Sequence, residues 1–341
     1  MARGIRSQGR RRVEHGKSGR PERGDDGQLN APPPAKEGDE ADDEVTKARR
    51  KTTSRRSLER QPRFGEISPE VGVLDDDAVE SALEENPDDT LALLADLTGA
   101  TDPKLRELAR RLAGRLFLDL SRRGPAVPRG VGQLRTQRYR PDGGDLDLDA
   151  SLDALVTARA ERSAVDPDDL RVRAWSTPGT AICLLVDRSG SMTGRPLATA
   201  AVSAAAVAWR SPGDYSVLSF GKDVIAVKSQ DVPKSNERVI DSVLALRGFG
   251  TTDVAGALIA AADQLSRSRA GRKITVLLSD CRATAPGDVV GAARRLDELV
   301  IVAPESDAAE AQELAEQMGA RFTTVSGPSD AAAALARVLD T

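Results

Sequence analysis

Five consecutive apolar residues, Ile182-Cys183-Leu184-Leu185-Val186, run straight into Asp187-Arg188-Ser189-Gly190-Ser191-Met192. A strand without polar alternation has to be covered on both faces, and that pattern belongs to a parallel sheet packed between helices. The chain repeats this logic from residue 170 onward. Strand-like segments at 181–186, 215–220, 223–227, 273–279, 299–302 and 322–325 alternate with helical ones at 196–209, 236–246, 253–268, 286–296, 307–318 and 330–339. An edge strand is expected at 170–175. The expected fold class is α/β, with a doubly wound, mostly parallel sheet. Such sheets bind ligands at the carboxyl ends of their strands, near a topological switch point. Asp187 and Asp280 both stand at such ends.

Asp187, Ser189 and Ser191 put one carboxylate and two hydroxyls at i, i+2 and i+4 on a tight loop. All three are hard oxygen donors of the kind a magnesium or manganese ion prefers. The plain alternative is an ordinary Asp/Ser turn, since both residue types favour turns. Two more stretches lie downstream. Gly248-Phe249-Gly250-Thr251-Thr252-Asp253 opens an Ala/Leu-rich helix, and Ile274-Thr275-Val276-Leu277-Leu278-Ser279-Asp280 is a second apolar strand ending in a carboxylate. Together the three pieces resemble the metal-ion-dependent adhesion site of von Willebrand factor A (VWA) domains: D-x-S-x-S, a loop threonine, then a strand-end aspartate. The resemblance implies a Rossmann-like VWA fold. It also implies Asp187, Ser189, Ser191, Thr252 and Asp280 as ligands of one Mg²⁺ or Mn²⁺. Thr251 is the alternative to Thr252; the family's threonine directly precedes the Asp or Asn that starts the helix, which favours Thr252. Cys281 stands where the family usually has glycine, a departure that would crowd the loop without removing a ligand. Two carboxylates and three neutral hydroxyls under-neutralise a divalent ion, so an ion so held keeps water in at least one position. A partner's carboxylate can displace that water, so the implied site suits binding better than chemistry.

Composition removes several enzyme classes. The chain has a single histidine, His15, in an arginine-rich stretch. A Ser-His-Asp or Cys-His mechanism has no base there, and histidine-ligated zinc or iron is equally excluded. Gly16-Lys17-Ser18 looks like the end of a P-loop, but the upstream glycine position holds Arg11 and no apolar strand precedes it. Asp145-Leu146-Asp147-Leu148-Asp149 fails as an EF-hand because Ala150 and Val156 occupy its glycine and glutamate positions. No nucleotide site and no enzymatic activity are expected. Lys+Arg 49 against Asp+Glu 53 gives a net charge of -4, which does not point to a dedicated nucleic-acid protein. No apolar stretch reaches bilayer length, the N-terminus leads into arginines, and two cysteines fit a reducing compartment. These features set the expectation of a cytoplasmic protein without a membrane partner.

Residues 1–65 are rich in charge, Gly and Pro, and are expected to be a disordered tail. A helical region is expected at 75–123, a linker with a short helix at 124–169, and the VWA domain at 170–341. Leu105, Leu108, Leu112, Leu116 and Leu120 recur at helical spacing, which reads as a packing stripe, with a partner groove as the sharper alternative. Gly144 to Leu152, then Arg171-Val172-Arg173, then the metal motif resemble the bacterial CoxE-like VWA proteins that work with MoxR-type AAA+ ATPases. That resemblance implies a non-enzymatic adaptor. Its ion would bind an acidic residue of a protein partner, while the AAA+ ATPase remodels a client or inserts a metal or cofactor. The alternatives are a nucleic-acid-associated VWA protein using the Arg-rich tail and a subunit like the magnesium-chelatase D chain. The AAA+-like domain of the latter would not fit ahead of residue 170.

Overall fold

Side chains of the central strand divide by parity. Ile182, Leu184 and Val186 enter one buried cluster, while Ala181, Cys183 and Leu185 enter another on the opposite face. This two-sided burial is the physical reason for the unbroken apolar run. The computed structural model describes residues 33–122, 133–139, 145–188, 193–246, 248 and 251–339. Helices come first: α1 (Gly38–Arg49), α2 (Arg55–Leu58), α3 (Phe64–Ile67), α4 (Asp76–Glu85), α5 (Pro87–Leu97) and α6 (Pro103–Ser121). Strands β1 (Gln133–Arg138) and β2 (Asp145–Leu146), helix α7 (Leu148–Glu161) and the long strand β3 (Arg171–Asp187) follow. Beyond β3 come α8 (Arg195–Arg210), β4 (Tyr215–Phe220), β5 (Val224–Lys228), α9 (Asn236–Ala245), α10 (Val254–Ser266) and β6 (Ala270–Leu278). The chain closes with α11 (Val289–Ala293), β7 (Glu298–Pro304), α12 (Ala309–Met318), β8 (Arg321–Val325) and α13 (Pro328–Leu339).

The sheet runs β5-β4-β3-β6-β7-β8. Every neighbouring pair in that order is parallel except β4 with β5. From β3 the chain goes one way to β4 and later returns to the other side as β6, so the switch point lies between β3 and β6. Helices α8, α9 and α13 cover one face, and α10, α11 and α12 the other. Helix α8 is built of small residues because it is buried nearly all round, from Leu197 to Ala208. No helix of the described residues is long and apolar enough to cross a membrane.

Polar residues at the helix starts act as caps. Asp75, Asn86 and Asp102 accept hydrogen bonds from the backbone N–H groups of Ala78, Asp89 and Leu105, and Pro87 and Pro103 follow in the first turn. Asp147, central to the rejected calcium loop, caps α7 through the Ala150 N–H. Its other oxygen takes Thr136 Oγ1 at 2.8 Å and Arg173 Nε at 3.0 Å.

Three expectations need correction. The strands expected at 170–175 and 181–186 are one strand, β3. Its ladder to β6 continues across the turn-like Pro178-Gly179 with a register shift between Thr177 and Thr180, while β1 and β2 pair antiparallel with its first half. The tail expected to be disordered to residue 65 is ordered from residue 33, and residues 1–32 lie outside the described residues. The backbone of Lys36 docks on the sheet edge, with Lys36 N–H to Val224 O at 2.8 Å and Ala226 N–H to Lys36 O at 2.9 Å. Ala41 and Val45 of α1 then enter the main core, and Leu58, Phe64 and Ile67 pack with α4, α5 and α6. A segment poor in apolar residues is ordered here because the folded domain supplies the core and the countercharges. The third correction concerns the helical region, which is not separate from the sheet. Leu91, Ala95, Ala113 and Phe117 share the cluster of α8. Leu105 and Leu112 of the leucine stripe are buried against α4 and α5, and Leu116 is partly buried against the same cluster.

Candidate metal centre

Asp187 ends β3, and Ser279-Asp280 follows β6. These strands are parallel neighbours with Val186 opposite Leu278, so both carboxylates leave the same edge of adjacent strands. Asp187 is 7% exposed. Ser279 Oγ donates to Asp187 Oδ2 at 2.5 Å and itself accepts the Cys281 N–H at 2.9 Å. This relay fixes one carboxylate oxygen of Asp187. Asp280 is half-buried, and its Oδ1 accepts the Arg282 N–H at 3.1 Å. The turn that brings Cys281 back onto Ser279 requires φ +62° at Cys281, in the left-handed region that favours glycine.

The loop before α10 reaches the same place through β4. Phe220 O, at the end of β4, accepts the Arg188 N–H at 2.7 Å, and the next carbonyl, Gly221 O, accepts the Asp253 N–H at 3.0 Å. Two consecutive carbonyls thus tether the residue after Asp187 and the residue after Thr252. Asp253 caps α10 by accepting the Gly256 N–H at 2.8 Å. Thr252 is fully buried, whereas Thr251 is exposed. The Thr252 backbone is bonded on both sides: its N–H donates to Thr284 Oγ1 at 2.8 Å, and its carbonyl accepts the Thr284 and Ala285 N–H groups at 3.2 Å each. Its side-chain Oγ1 is buried and has no hydrogen-bond partner among the described residues. A buried polar atom left unsatisfied costs about 1–3 kcal/mol. Such an atom is one that a bound ligand would satisfy.

A cleft of about 770 Å³ opens at this edge, lined in part by Asp187, Arg195, Thr199, Ser279, Asp280 and Asp307. Thr252 is not among its lining residues. Arg282 pairs with Asp307 at 2.6 Å and Glu310 at 3.5 Å. Arg195 pairs with Asp89 at 2.6 Å, and that hydrogen bond is the main reason its guanidinium pKa is raised. Arg188, next to Asp187, has its guanidinium pKa lowered by burial, against the opposing pull of Asp223 and Glu44. Two of the cations near the cleft are therefore matched to other acids, and the third is burdened by desolvation.

Of the five residues expected to hold an ion, the structure gathers Asp187 and Asp280 at one cleft and tethers Thr252 beside them. Ser189 and Ser191 lie outside the described residues. Among the described residues no group of three or more His, Cys, Asp or Glu side chains gathers to hold a metal. An ion here would lean on hydroxyl oxygens, and the orphaned Thr252 Oγ1 fits that donor set. Sequence reasoning missed Ser279, which orients Asp187. The available signal was a small polar residue between an apolar run and Asp280, where packing gives it no role.

The sequence model of the family described as VWA domain containing CoxE-like protein matches residues 120–326, more than half of the 341-residue chain. No curated protein matches the chain. Among solved structures, it is similar to proximal thread matrix protein 1 from the mussel byssus, at 16% identity over 48% of this chain and 47% of that one, with a TM-score of 0.40. It is similar to the von Willebrand factor type A protein of Catenulispora acidiphila, at 16% identity over 49% and 43% of the two chains, with a TM-score of 0.37. A third is the manganese-loaded TRAP protein of Plasmodium vivax, at 17% identity over 46% and 72%, with a TM-score of 0.37. The chain spans less than half the length of the mussel and Catenulispora chains it matches.

Proposed function

The chain belongs to the family of VWA domain containing CoxE-like proteins, and on that premise we propose that it is a non-enzymatic, Mg²⁺- or Mn²⁺-dependent protein-binding adaptor. Asp187, Ser189, Ser191, Thr252 and Asp280 are the proposed ligands. When bound, the ion supplies an electrophilic position open to an outside carboxylate. The chain's own residues do the rest. Ser279 holds Asp187 in orientation, and Cys281 closes the turn that holds Ser279. The observation that carries the reading is the buried Thr252 hydroxyl, without a partner among the described residues, on a loop tethered through β4 to the residue after Asp187.

The partner is a protein that offers an Asp or Glu side chain to the ion. The CoxE-like resemblance makes a MoxR-type AAA+ ATPase the proposed partner, acting in the cytoplasm on a client that is remodelled or loaded with a metal or cofactor. Two features support a binding role over hydrolysis. The single histidine, His15, stands in an arginine-rich stretch far in sequence from the motif, and the cleft acid Asp307 is paired with Arg282 at 2.6 Å. The test is capture from a native lysate with the full chain, with and without EDTA, read by mass spectrometry. An AAA+ ATPase should be recovered with divalent metal and lost with EDTA or in Asp187→Ala. Recovery of nucleic acid instead, indifferent to EDTA, would contradict the proposal.

A further inference from the structure

Helix α7 turns its large apolar side chains away from the protein. It packs on β3 with small residues. Ser151 and Ala158 are buried, and Ser151 Oγ accepts the Arg171 N–H at 2.9 Å. Leu148, Leu152 and Val156 are instead 62%, 56% and 58% exposed, and Leu146, just ahead of the helix, is exposed as well. A surface helix ordinarily does the reverse and lays its apolar stripe on the core. Single exposed hydrophobic residues need no explanation, whereas contiguous ones mark interaction surfaces.

The three exposed side chains recur at i, i+4 and i+8, so they form one stripe about 80° wide. Asp149 and Asp153 are exposed and lie beside it on the Val156 side, about 60° and 100° round the helix from Leu152. Arg159 closes the stripe at its C-terminal end. An acidic flank along an apolar stripe is complementary to a helix that carries the same stripe and Lys or Arg on the facing flank. It does not suit a second copy of this chain. In an antiparallel two-fold pair the same flank of each helix meets, which sets Asp149 and Asp153 of one copy against those of the other. Nor does it suit a membrane surface, which helices approach with Lys and Arg beside their apolar face.

We propose that the outer face of α7 is a docking surface for a basic amphipathic helix of a partner protein. Leu148, Leu152 and Val156 are its apolar contact, and Asp149 and Asp153 its charged flank. This surface is independent of the metal reading. Helix α7 is anchored at Arg171 and the crevice opens at Asp187, the two ends of β3, and no α7 residue lines that cleft. One helix face is a small interface, so the contact belongs at the weak end of specific binding.

The test uses the full chain and two labelled synthetic amphipathic peptides of about 18 residues, one of Leu and Lys, the other with Glu in place of Lys. Fluorescence anisotropy should show wild type binding the Leu/Lys peptide with a Kd on the order of 10 µM, with or without EDTA, and not the Leu/Glu peptide. Leu152→Ser should weaken that binding roughly tenfold. Asp149→Lys combined with Asp153→Lys should weaken it as well and create binding of the Leu/Glu peptide. Absence of Leu/Lys binding by wild type, or equal binding by Leu152→Ser, overturns the proposal. Should Leu152→Ser fail to fold, unchanged peptide preference in the double lysine variant overturns it. A wild-type dimer in sedimentation that Leu152→Ser makes monomeric would give the face to a second copy. Co-flotation with phosphatidylcholine vesicles that Leu152→Ser abolishes would give it to a membrane. Either result overturns the proposal.

Discussion

At Cys281 two demands conflict. Its backbone sits at φ +62°, where a non-glycine residue costs on the order of 1 kcal/mol, yet its side chain is buried, and burial pushes the thiol up to about 12. Removing the side chain by Cys281→Ala loses packing and keeps the backbone cost. Cys281→Gly loses the same packing and relieves that cost. The glycine variant should therefore be more stable than the alanine variant by about 1 kcal/mol, the reverse of the usual order inside regular elements. Denaturant unfolding in EDTA measures the difference, and an alanine variant as stable as the glycine one contradicts it. At this scale the proposed oxygen donors are legible in the sequence: Asp187 and Asp280 end apolar runs, and Thr252 precedes a helix cap. The supporting residue was not legible. Ser279 matters through a hydrogen bond to a residue 92 positions away, and no local spacing encodes that contact.

Among the elements, the sheet strands and α8 could be read from apolar runs because burial on both sides leaves a local pattern. Helix α1 could not. Its acidic sequence buries only Ala41 and Val45, and its acids pair with cations outside the helix, Glu44 with Lys36 and Asp42 with Lys234. The residue before it, Glu37, shows the mechanism. Its carboxylate accepts two hydrogen bonds from Arg267 at 2.7 Å each, one from Ser229 and one from Gln264 at 2.8 Å each. Arg267 is the largest cause holding its pKa below the ordinary 4.5. A carboxyl with a depressed folded pKa stabilises the fold above its unfolded value, and that contribution is lost as pH falls through the folded pKa. Glu37→Gln should cost about 1 kcal/mol at neutral pH, after allowance for solvent screening of a partly exposed pair. The gap between wild type and variant should hold above pH 4.5 and shrink below it. Urea unfolding at neutral pH and near pH 3 checks this, and a gap that widens in acid contradicts it.

In the whole molecule, the order β5-β4-β3-β6-β7-β8 opens a crevice between β3 and β6, and the helices before β3 close around one side of it. The family match begins at residue 120, ahead of β1, in keeping with β1 and β2 being part of the β3 ladder. The sheet, its crevice and the strand-end carboxylates follow from local sequence, whereas the joining of α5 to the start of α8 through Asp96 and Gly194 is a property of the assembled core. The central claim is that this crevice holds a divalent ion through Asp187, Thr252 and their neighbours. Calorimetric titration of Mn²⁺ into wild type, Asp187→Ala and Thr252→Val, paired with unfolding in EDTA, tests it most directly. Thr252 Oγ1 bonds nothing among the described residues, so Thr252→Val removes a buried unsatisfied group and should make the metal-free protein more stable by about 1–3 kcal/mol. The account predicts Mn²⁺ binding by wild type, roughly tenfold weaker binding by Thr252→Val, and none by Asp187→Ala. Equal affinity in all three proteins, or no uptake by the wild type, would contradict it.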